Sequence, residues 1–384
     1  MTAESPDPRE EPATVEAEAI PTGATAARAP LARPAAPAQF AAPPRRGGRG
    51  LLIFFLFVLL FFLAGSMLMN LGLMASLGSS SSVERPLTER HVALSQTGTN
   101  KIAIIEVSGT ITETDGGFVK RQIDQVRADD DVKAVIVRID SPGGTVFASD
   151  YQYHHLKKLA EEREIPLVVS MGSLAASGGY YVAMAVGDTE RTIFAEPTTW
   201  SGSIGVIMPH YDVSGLLTDW KIEDDSIVSH RLKGMGSPSR PMTEEERKIF
   251  QQLVTDSFDR FKEVVRSGRP KFAENEAALD AVATGQVFTT PQAMDNGLVD
   301  EEGFLEDAID RAVELAAIDP DNTEVVKYTQ PVGLMDALMF GAQGRAAMSG
   351  RSLPGSLDGL LDLATPRAYY LWTWPAAAGL GAPN

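Results

Sequence analysis

The chain has 384 residues, with 34 Lys and Arg against 51 Asp and Glu for a formal net charge of −17, and it has no cysteine. That acidic excess argues against a nucleic-acid binder, which needs clustered Lys and Arg to neutralise phosphates. The missing thiols exclude a disulfide framework and make a zinc site improbable.

Residues 1–50 read as a cytoplasmic tail. Met1 to about Pro44 is rich in Ala, Pro, Glu and Thr without apolar periodicity. Such a segment buries too little surface to offset the entropy of ordering and is expected to be disordered. Arg45, Arg46 and Arg49 follow, and residues 51–73 are then apolar, interrupted only by Gly65, Ser66, Asn70 and Gly72. At 1.5 Å per residue, about 20 residues cross a hydrocarbon core of ~30 Å, so this span predicts one transmembrane anchor. The arginines on its amino side put the tail in the cytoplasm and the rest of the chain outside the membrane. A cleavable signal peptide is the alternative, but roughly fifty residues precede the apolar run, against the short leader of a signal sequence. Residues 74–100, with serines at 79–82, read as a linker.

Residues 101–330 alternate strand and helix patterns, which predicts one large α/β domain. Strands are expected at Lys101–Ile111, Lys133–Asp140, Pro166–Met171, Thr192–Ala195, Gly205–Met208 and Ser226–Leu232. Helices are expected at Phe118–Arg127, Thr145–Glu162, Ser177–Val186, Thr243–Ser267 and Phe304–Ala317. The strand runs are too continuously apolar for a one-sided sheet and fit strands covered on both faces. Thr243, with Glu246 three residues later, makes a capping box. Residues 331–384 form an extension with short helical patterns near Leu334–Met339 and Leu357–Leu363 and an aromatic run, Ala368-Tyr-Tyr-Leu-Trp-Thr-Trp-Pro375. That run suits packing on the body, docking at a membrane interface, or lying in a neighbouring substrate groove.

The chemistry-bearing stretch is Ala175-Ala-Ser-Gly-Gly-Tyr-Tyr181, directly after the apolar Leu167–Met171. A strand entering a small-residue turn and then a helix exposes the turn side chain beside free backbone N–H groups, the place for an acyl-transfer nucleophile. A tightly packed helix start is the bland alternative. Upstream, Ser141-Pro-Gly-Gly144 ends a buried strand, and its glycines let backbone N–H groups approach a ligand. Downstream come Ser201-Gly-Ser-Ile-Gly-Val206 and Ser229-His-Arg-Leu-Lys-Gly234.

In this order the segments resemble the signal peptide peptidase A family of serine–lysine membrane proteases, over roughly residues 102–317. The resemblance implies that Ser177 is the nucleophile, Lys233 the general base, Ser203 the serine that hydrogen-bonds the lysine, and Gly144 an oxyanion donor. The N–H of Gly178, just after the nucleophile, is an additional candidate donor on geometric grounds. His230 and Gly234 depart from the residues the family often carries beside the lysine. A lysine base must act in its neutral form, which calls for an apolar setting or a cationic neighbour; Leu232, Met235 and Arg231 are candidates for both. The five histidines, at 91, 154, 155, 210 and 230, form no strong triad motif, and His230 is the one nearest the motif residues.

The resemblance further implies a ClpP/crotonase-like spiral of ββα units, a homo-oligomeric ring with sites assembled from neighbouring protomers, and placement on the bacterial cytoplasmic membrane. Its substrates would be remnant signal peptides or other short hydrophobic peptide segments. No cofactor or metal is expected: His-Glu-x-x-His and phosphate-loop motifs are missing. The rival readings are a crotonase-type acyl-CoA enzyme, which would not need the Ser177–Lys233 pair, and a catalytically silent scaffold, against which the joint presence of Ser177, Lys233 and Ser203 argues.

Overall fold

The computed structural model describes residues 49–78, 87–330 and 368–371. The expected tail at 1–48 and the helical patterns at 334–339 and 357–363 lie outside the described residues. The chain divides into two units, Met1–Ser81 and Ser82–Asn384.

In the first unit, helix α1 (Arg49–Gly78) is 30 residues long. Its window Leu52–Leu71 has a mean hydropathy of 2.8, with none of it buried in the protein. By length and composition this helix is able to cross a membrane.

The second unit is mixed α/β with a mostly parallel sheet. In chain order it runs β1 (Thr88–Leu94), β2 (Asn100–Ser108), α2 (Phe118–Ala128), β3 (Val132–Ser141), β4 (Gly143–Thr145), α3 (Val146–Arg163), β5 (Leu167–Ala176), α4 (Gly178–Ala183), β6 (Ile193–Ala195) and β7 (Trp200–Gly202). There follow α5 (Ser214–Asp219), α6 (Glu244–Gly268), α7 (Pro270–Ala273), α8 (Glu276–Val282), β8 (Val287–Thr289), α9 (Thr290–Asn296), β9 (Glu301–Glu302), α10 (Leu305–Ala316), β10 (Thr323–Thr329) and β11 (Tyr369–Leu371). The sheet order is β1-β10-β2-β3-β5-β6-β9, with β7 continuing beside the end of β5 and pairing β8. Every neighbour from β10 to β9 is parallel, while β1–β10 and β7–β8 are antiparallel.

Strand alternation explains the runs read from the sequence. Ala103, Ile105, Val135, Val137 and Val169 point into one core with α2, α3, α4 and α6. Ile102, Ile104, Ala134, Ile136 and Val168 point into the other, closed by Ala308, Ile309 and Ala312 of α10. Both faces are therefore dry, and both alternate positions must be apolar. The capping box at α6 is formed: Glu246 N–H donates to Thr243 Oγ1 at 3.3 Å, and Thr243 N–H to the Glu246 carboxylate at 2.9 Å.

Three strand expectations differ from the structure. Ser226–Leu232 is not a strand: it is an exposed loop ending in a 3₁₀ turn at Arg231–Gly234, and among the described residues no strand pairs with it. Gly205–Met208 reduces to a single bridge, Ile207 to Tyr369. Strand β1 falls inside the stretch read as a linker, paired with a strand more than two hundred residues later.

Candidate active site

Strand β5 ends at Ala176 and α4 starts at Gly178, so Ser177 stands alone at the corner. Its backbone takes φ 53°, ψ −113°, a conformation rarely adopted by a residue with a Cβ. Hydrogen bonds hold it there: Ser177 N–H donates to Gly202 O at 2.8 Å, and Tyr181 N–H to Ser177 O at 2.8 Å. The small residues around it are a packing requirement. A Cβ on Gly178 would lie 2.4 Å from Ser149 Oγ, and one on Gly179 would lie 3.0 Å from Ser141 O.

The Ser-Pro-Gly-Gly segment lies directly against this corner. Gly143 has φ +98°, and a Cβ there would lie 2.6 Å from the Gly178 nitrogen. One edge of β4 is bound to Ile111, with Ile111 N–H on Gly143 O at 2.8 Å and Thr145 N–H on Ile111 O at 2.9 Å. A Cβ on Gly144 would meet Ile111 O at 1.8 Å, so only glycine fits. Because Gly143 and Thr145 face Ile111, the N–H of Gly144 faces the other way.

On that free side lies β11, antiparallel, with Tyr370 opposite Gly144 and Leu371 opposite Gly143. Val146 N–H donates to Ala368 O at 3.2 Å. By the alternation of an antiparallel ladder, Gly144 and Tyr370 form the next bonded pair, which puts the Gly144 N–H on the Tyr370 carbonyl. That carbonyl oxygen is 2.1 Å from where a Gly143 Cβ would sit, beside the Gly178 nitrogen. On its other edge β11 exchanges two bonds with Ile207, at 3.0 and 2.9 Å. The segment is thus clasped on both sides as an extended peptide.

A cavity of about 410 Å³ opens beside it, lined by Ser177, Ser203, Val206, Val254, Phe258 and Leu371 among others. Ser203 is buried at φ 51°, its N–H donating to Gln286 O at 2.7 Å. The structure therefore brings Ser177, Ser203, Gly144 and Gly178 to one groove. Lys233 is not in this set. It is exposed on the 3₁₀ turn after His230, and neither residue lines the cavity. His230 is spent as the cap of that turn, its Nδ1 accepting from Leu232 N–H at 3.3 Å.

Sequence reasoning did not foresee the role of Tyr370. It is fully buried, stacked on Tyr181 (centroids 5.0 Å apart, 22° between planes) and tilted on Phe261 at 4.5 Å. Its hydroxyl donates to Ser257 O at 2.6 Å. Burial pushes the phenol of Tyr370 well above its ordinary range, and burial with the Asp150 hydrogen bond does the same for Tyr181. Both remain protonated donors at any working pH. The density of aromatics at 368–374 was the available signal; a substrate groove is among the places it suits, but no sequence pattern singles out Tyr370 or the groove of its own chain. Among the described residues, no cluster of three His, Asp or Glu is placed to hold a metal ion.

The fold and groove define an α/β protein that holds an extended peptide against a cornered serine. Comparison with known proteins agrees: the model of peptidase family S49 matches residues 160–319. A Synechocystis protein named as a candidate protease is 38% identical over 63% of this chain and 83% of its own length. A candidate signal peptide peptidase of Enterococcus faecium is 34% identical over 55% of this chain and 62% of its own. Protease 4 of Haemophilus influenzae is 33% identical over 56% of this chain but only 35% of its own. The chain belongs to peptidase family S49.

Proposed function

We propose that this chain is a membrane-anchored serine endopeptidase working through a Ser177–Lys233 dyad. The observation that carries the reading is the clasped β11 strand. It occupies the groove as a substrate would, with the Tyr370 carbonyl on the Gly144 N–H and beside Gly178, next to Ser177. In the reaction Ser177 Oγ attacks a carbonyl held there, and the negative oxygen is stabilised by the Gly144 and Gly178 N–H groups. Lys233 takes the serine proton and passes it to the departing amine, while Ser203 orients the lysine. Water then hydrolyses the ester to release the acyl half.

The exposure of Lys233, away from the Ser177 cavity, supports a lysine contributed by a neighbouring copy in a homo-oligomeric ring. The same reading takes the body, within residues 101–330, as a ClpP/crotonase-like spiral. It takes residues 51–73 as an uncleaved anchor in a bacterial cytoplasmic membrane, with the body outside. The substrates are extended peptides, among them remnant signal peptides and other short hydrophobic segments released at the bilayer. A folded protein offers no free strand to enter a groove that pairs both edges of its occupant.

The test is labelling of the full chain with a phosphonylating probe, read by intact mass and peptide mapping. Wild type should gain one adduct at Ser177, and Ser177→Ala should gain none and lose peptide hydrolysis while keeping its circular dichroism spectrum. Retained turnover in a folded Ser177→Ala protein overturns the assignment. Mixing inactive Ser177→Ala with inactive Lys233→Ala under subunit exchange should restore part of the activity; confirmed exchange without recovery refutes the shared site.

A further inference from the structure

We propose that Ser141 is a positioning residue for hydrolysis: its buried hydroxyl locks the Gly143–Gly144 peptide in the orientation that turns the Gly144 N–H into the groove. This rests on the peptidase reading above and adds to it a residue that does not line the cavity.

The two glycines make a lock necessary. A trans peptide is planar, and its carbonyl and N–H point in opposite directions. In the Gly143–Gly144 unit the carbonyl accepts the Ile111 N–H at 2.8 Å, so the N–H of Gly144 faces the groove. Turning this unit over would aim the Gly143 carbonyl at the place where negative charge develops, and would repel it. The rotation uses only the ψ of Gly143 and the φ of Gly144, and neither residue has a Cβ to hinder it. No side chain fits here to supply the hindrance: Gly143 stands at φ +98°, and a Cβ on it would lie 2.1 Å from Tyr370 O. Pro142, the preceding residue, has no N–H to donate.

Ser141 supplies the restraint. It ends β3 and is fully buried. Its Oγ accepts the Gly143 N–H at 3.1 Å and donates to Gly109 O at 2.6 Å. One hydroxyl therefore ties the peptide ahead of Gly143 to the turn that follows β2, whose Gly109 N–H is in turn held by Asp140 O at 2.9 Å. Ile111 is two residues past Gly109, so the same tie steadies the donor on the Gly143 carbonyl. Ser141 also backs the turn that carries the nucleophile, since a Cβ on Gly179 would lie 3.0 Å from Ser141 O. The oxyanion donor and Ser177 are in this way set against a common residue. Ser141→Ala deletes both hydroxyl bonds and leaves the Gly143 N–H and the Gly109 carbonyl without that partner. Losing an oxyanion donor outright costs about a hundred- to a thousandfold in kcat, and a donor mis-aimed for part of the time should cost about ten- to a hundredfold. Peptide binding rests on the clasp at both strand edges, so the loss falls on kcat and leaves KM in place.

The experiment compares the full wild-type chain with Ser141→Ala and with the near-isosteric Ser141→Cys, whose thiol is a weak donor and acceptor. Ile309→Val, in the second core, controls for lost stability. For each, kcat and KM are measured on one extended peptide, together with the rate constant and half-saturating concentration for phosphonylation of Ser177 and the hydrogen exchange of the Ile111 amide. In Ser141→Ala, kcat and the phosphonylation rate constant should both fall about ten- to a hundredfold, with KM and half-saturation within about threefold of wild type. Ser141→Cys should fall between the two, Ile309→Val should match wild type, and the Ile111 amide should exchange faster in Ser141→Ala. A folded Ser141→Ala protein with wild-type kcat, with its loss confined to KM, or with unchanged Ile111 exchange overturns the inference and leaves the peptidase reading standing. If Ser141→Ala does not fold, wild-type rates in Ser141→Cys overturn it in the same way, as does an equal loss in Ile309→Val. No hydrolysis by wild type, or equal hydrolysis by Ser177→Ala, overturns the peptidase reading and this inference with it.

Discussion

Replacing Tyr370 with alanine separates a structural strand from one that competes with substrate. The ring is fully buried, and truncating a buried aromatic to alanine costs about 3–5 kcal/mol. The backbone attachments of β11, namely its ladder with β4, the bonds to Ile207 and the Ala368–Val146 bond, are left in place by the substitution. Taking about 3 kcal/mol, the docked state loses roughly a hundredfold of its advantage over the undocked one. If β11 fills the groove that an added peptide needs, kcat/KM for that peptide should rise at least tenfold in Tyr370→Ala. Tyr370→Phe keeps the ring and loses only the hydroxyl bond to Ser257 O, so its rise should be three- to tenfold or less. Hydrogen exchange gives an independent readout, because the Ile207 amide is protected by Tyr369 O at 3.0 Å and should exchange faster in the alanine variant. A folded Tyr370→Ala protein with unchanged kcat/KM and unchanged Ile207 protection would refute competition in the groove.

Three other outcomes are expected. Lys233→Arg should abolish hydrolysis of added peptide although positive charge is kept, since a guanidinium does not give up its proton to act as a base; normal turnover in that variant would remove Lys233 from the mechanism. Asp300→Ala should lower stability by about 3–5 kcal/mol in urea titrations, because it strips the partner at 2.7 Å from Arg269, whose side chain is only 11% exposed. Asp300 also accepts from the Thr192 and Ile193 amides at 3.0 and 2.9 Å, so a loss under 1 kcal/mol would show that the pair is dispensable. The Glu246 carboxyl is held down from its ordinary 4.5 to about 2, chiefly by Arg240 and then by the Thr243 amide. A depressed folded value means stability that is present above pH 4.5 and lost as the pH falls toward 2; Glu246→Gln should flatten urea midpoints across that window, and an unchanged acid limb would contradict it.

The alternation of strand and helix was legible because β3 and β5 are covered on both faces, which leaves runs of buried Val, Ile and Leu in the sequence. The start of α6 was legible because its capping box is made of residues three apart. What failed needed partners distant in the chain. Ile227, Val228 and Leu232 look like a strand by residue type, yet Ile227 is 100% exposed. The peptide clasp depends on pairing residues 143–145 with residues 369–371, for which no local pattern exists. Likewise the motif order predicted a site at Ser177, and the corner it predicted is there, but the sequence held no measure of how far Lys233 stands from it in one chain.

That separation has a physical basis. Ser177 is fixed by elements that complete their own packing within one chain, since β5, α4 and β4 are buried around it. Lys233 belongs to the excursion between β7 and α6, where Tyr211, Trp220 and Ile227 are exposed and α5 buries none of its residues. Its turn is tied to α6 by Arg240, which donates to Gly234 O at 3.0 Å and pairs with buried Glu246, and by Arg231, which donates to the Glu245 carboxylate at 2.7 Å. A lone chain thus leaves apolar side chains in water beside the exposed Lys233, the base proposed above. A second copy that covered those side chains would lower the free energy of the excursion and fix the lysine in one step. If the dyad proposed above is right, the exposed apolar surface and the distant lysine are one feature, and hydrolysis is expected to switch on with assembly; full activity in a protein shown by mass to be monomeric would refute it.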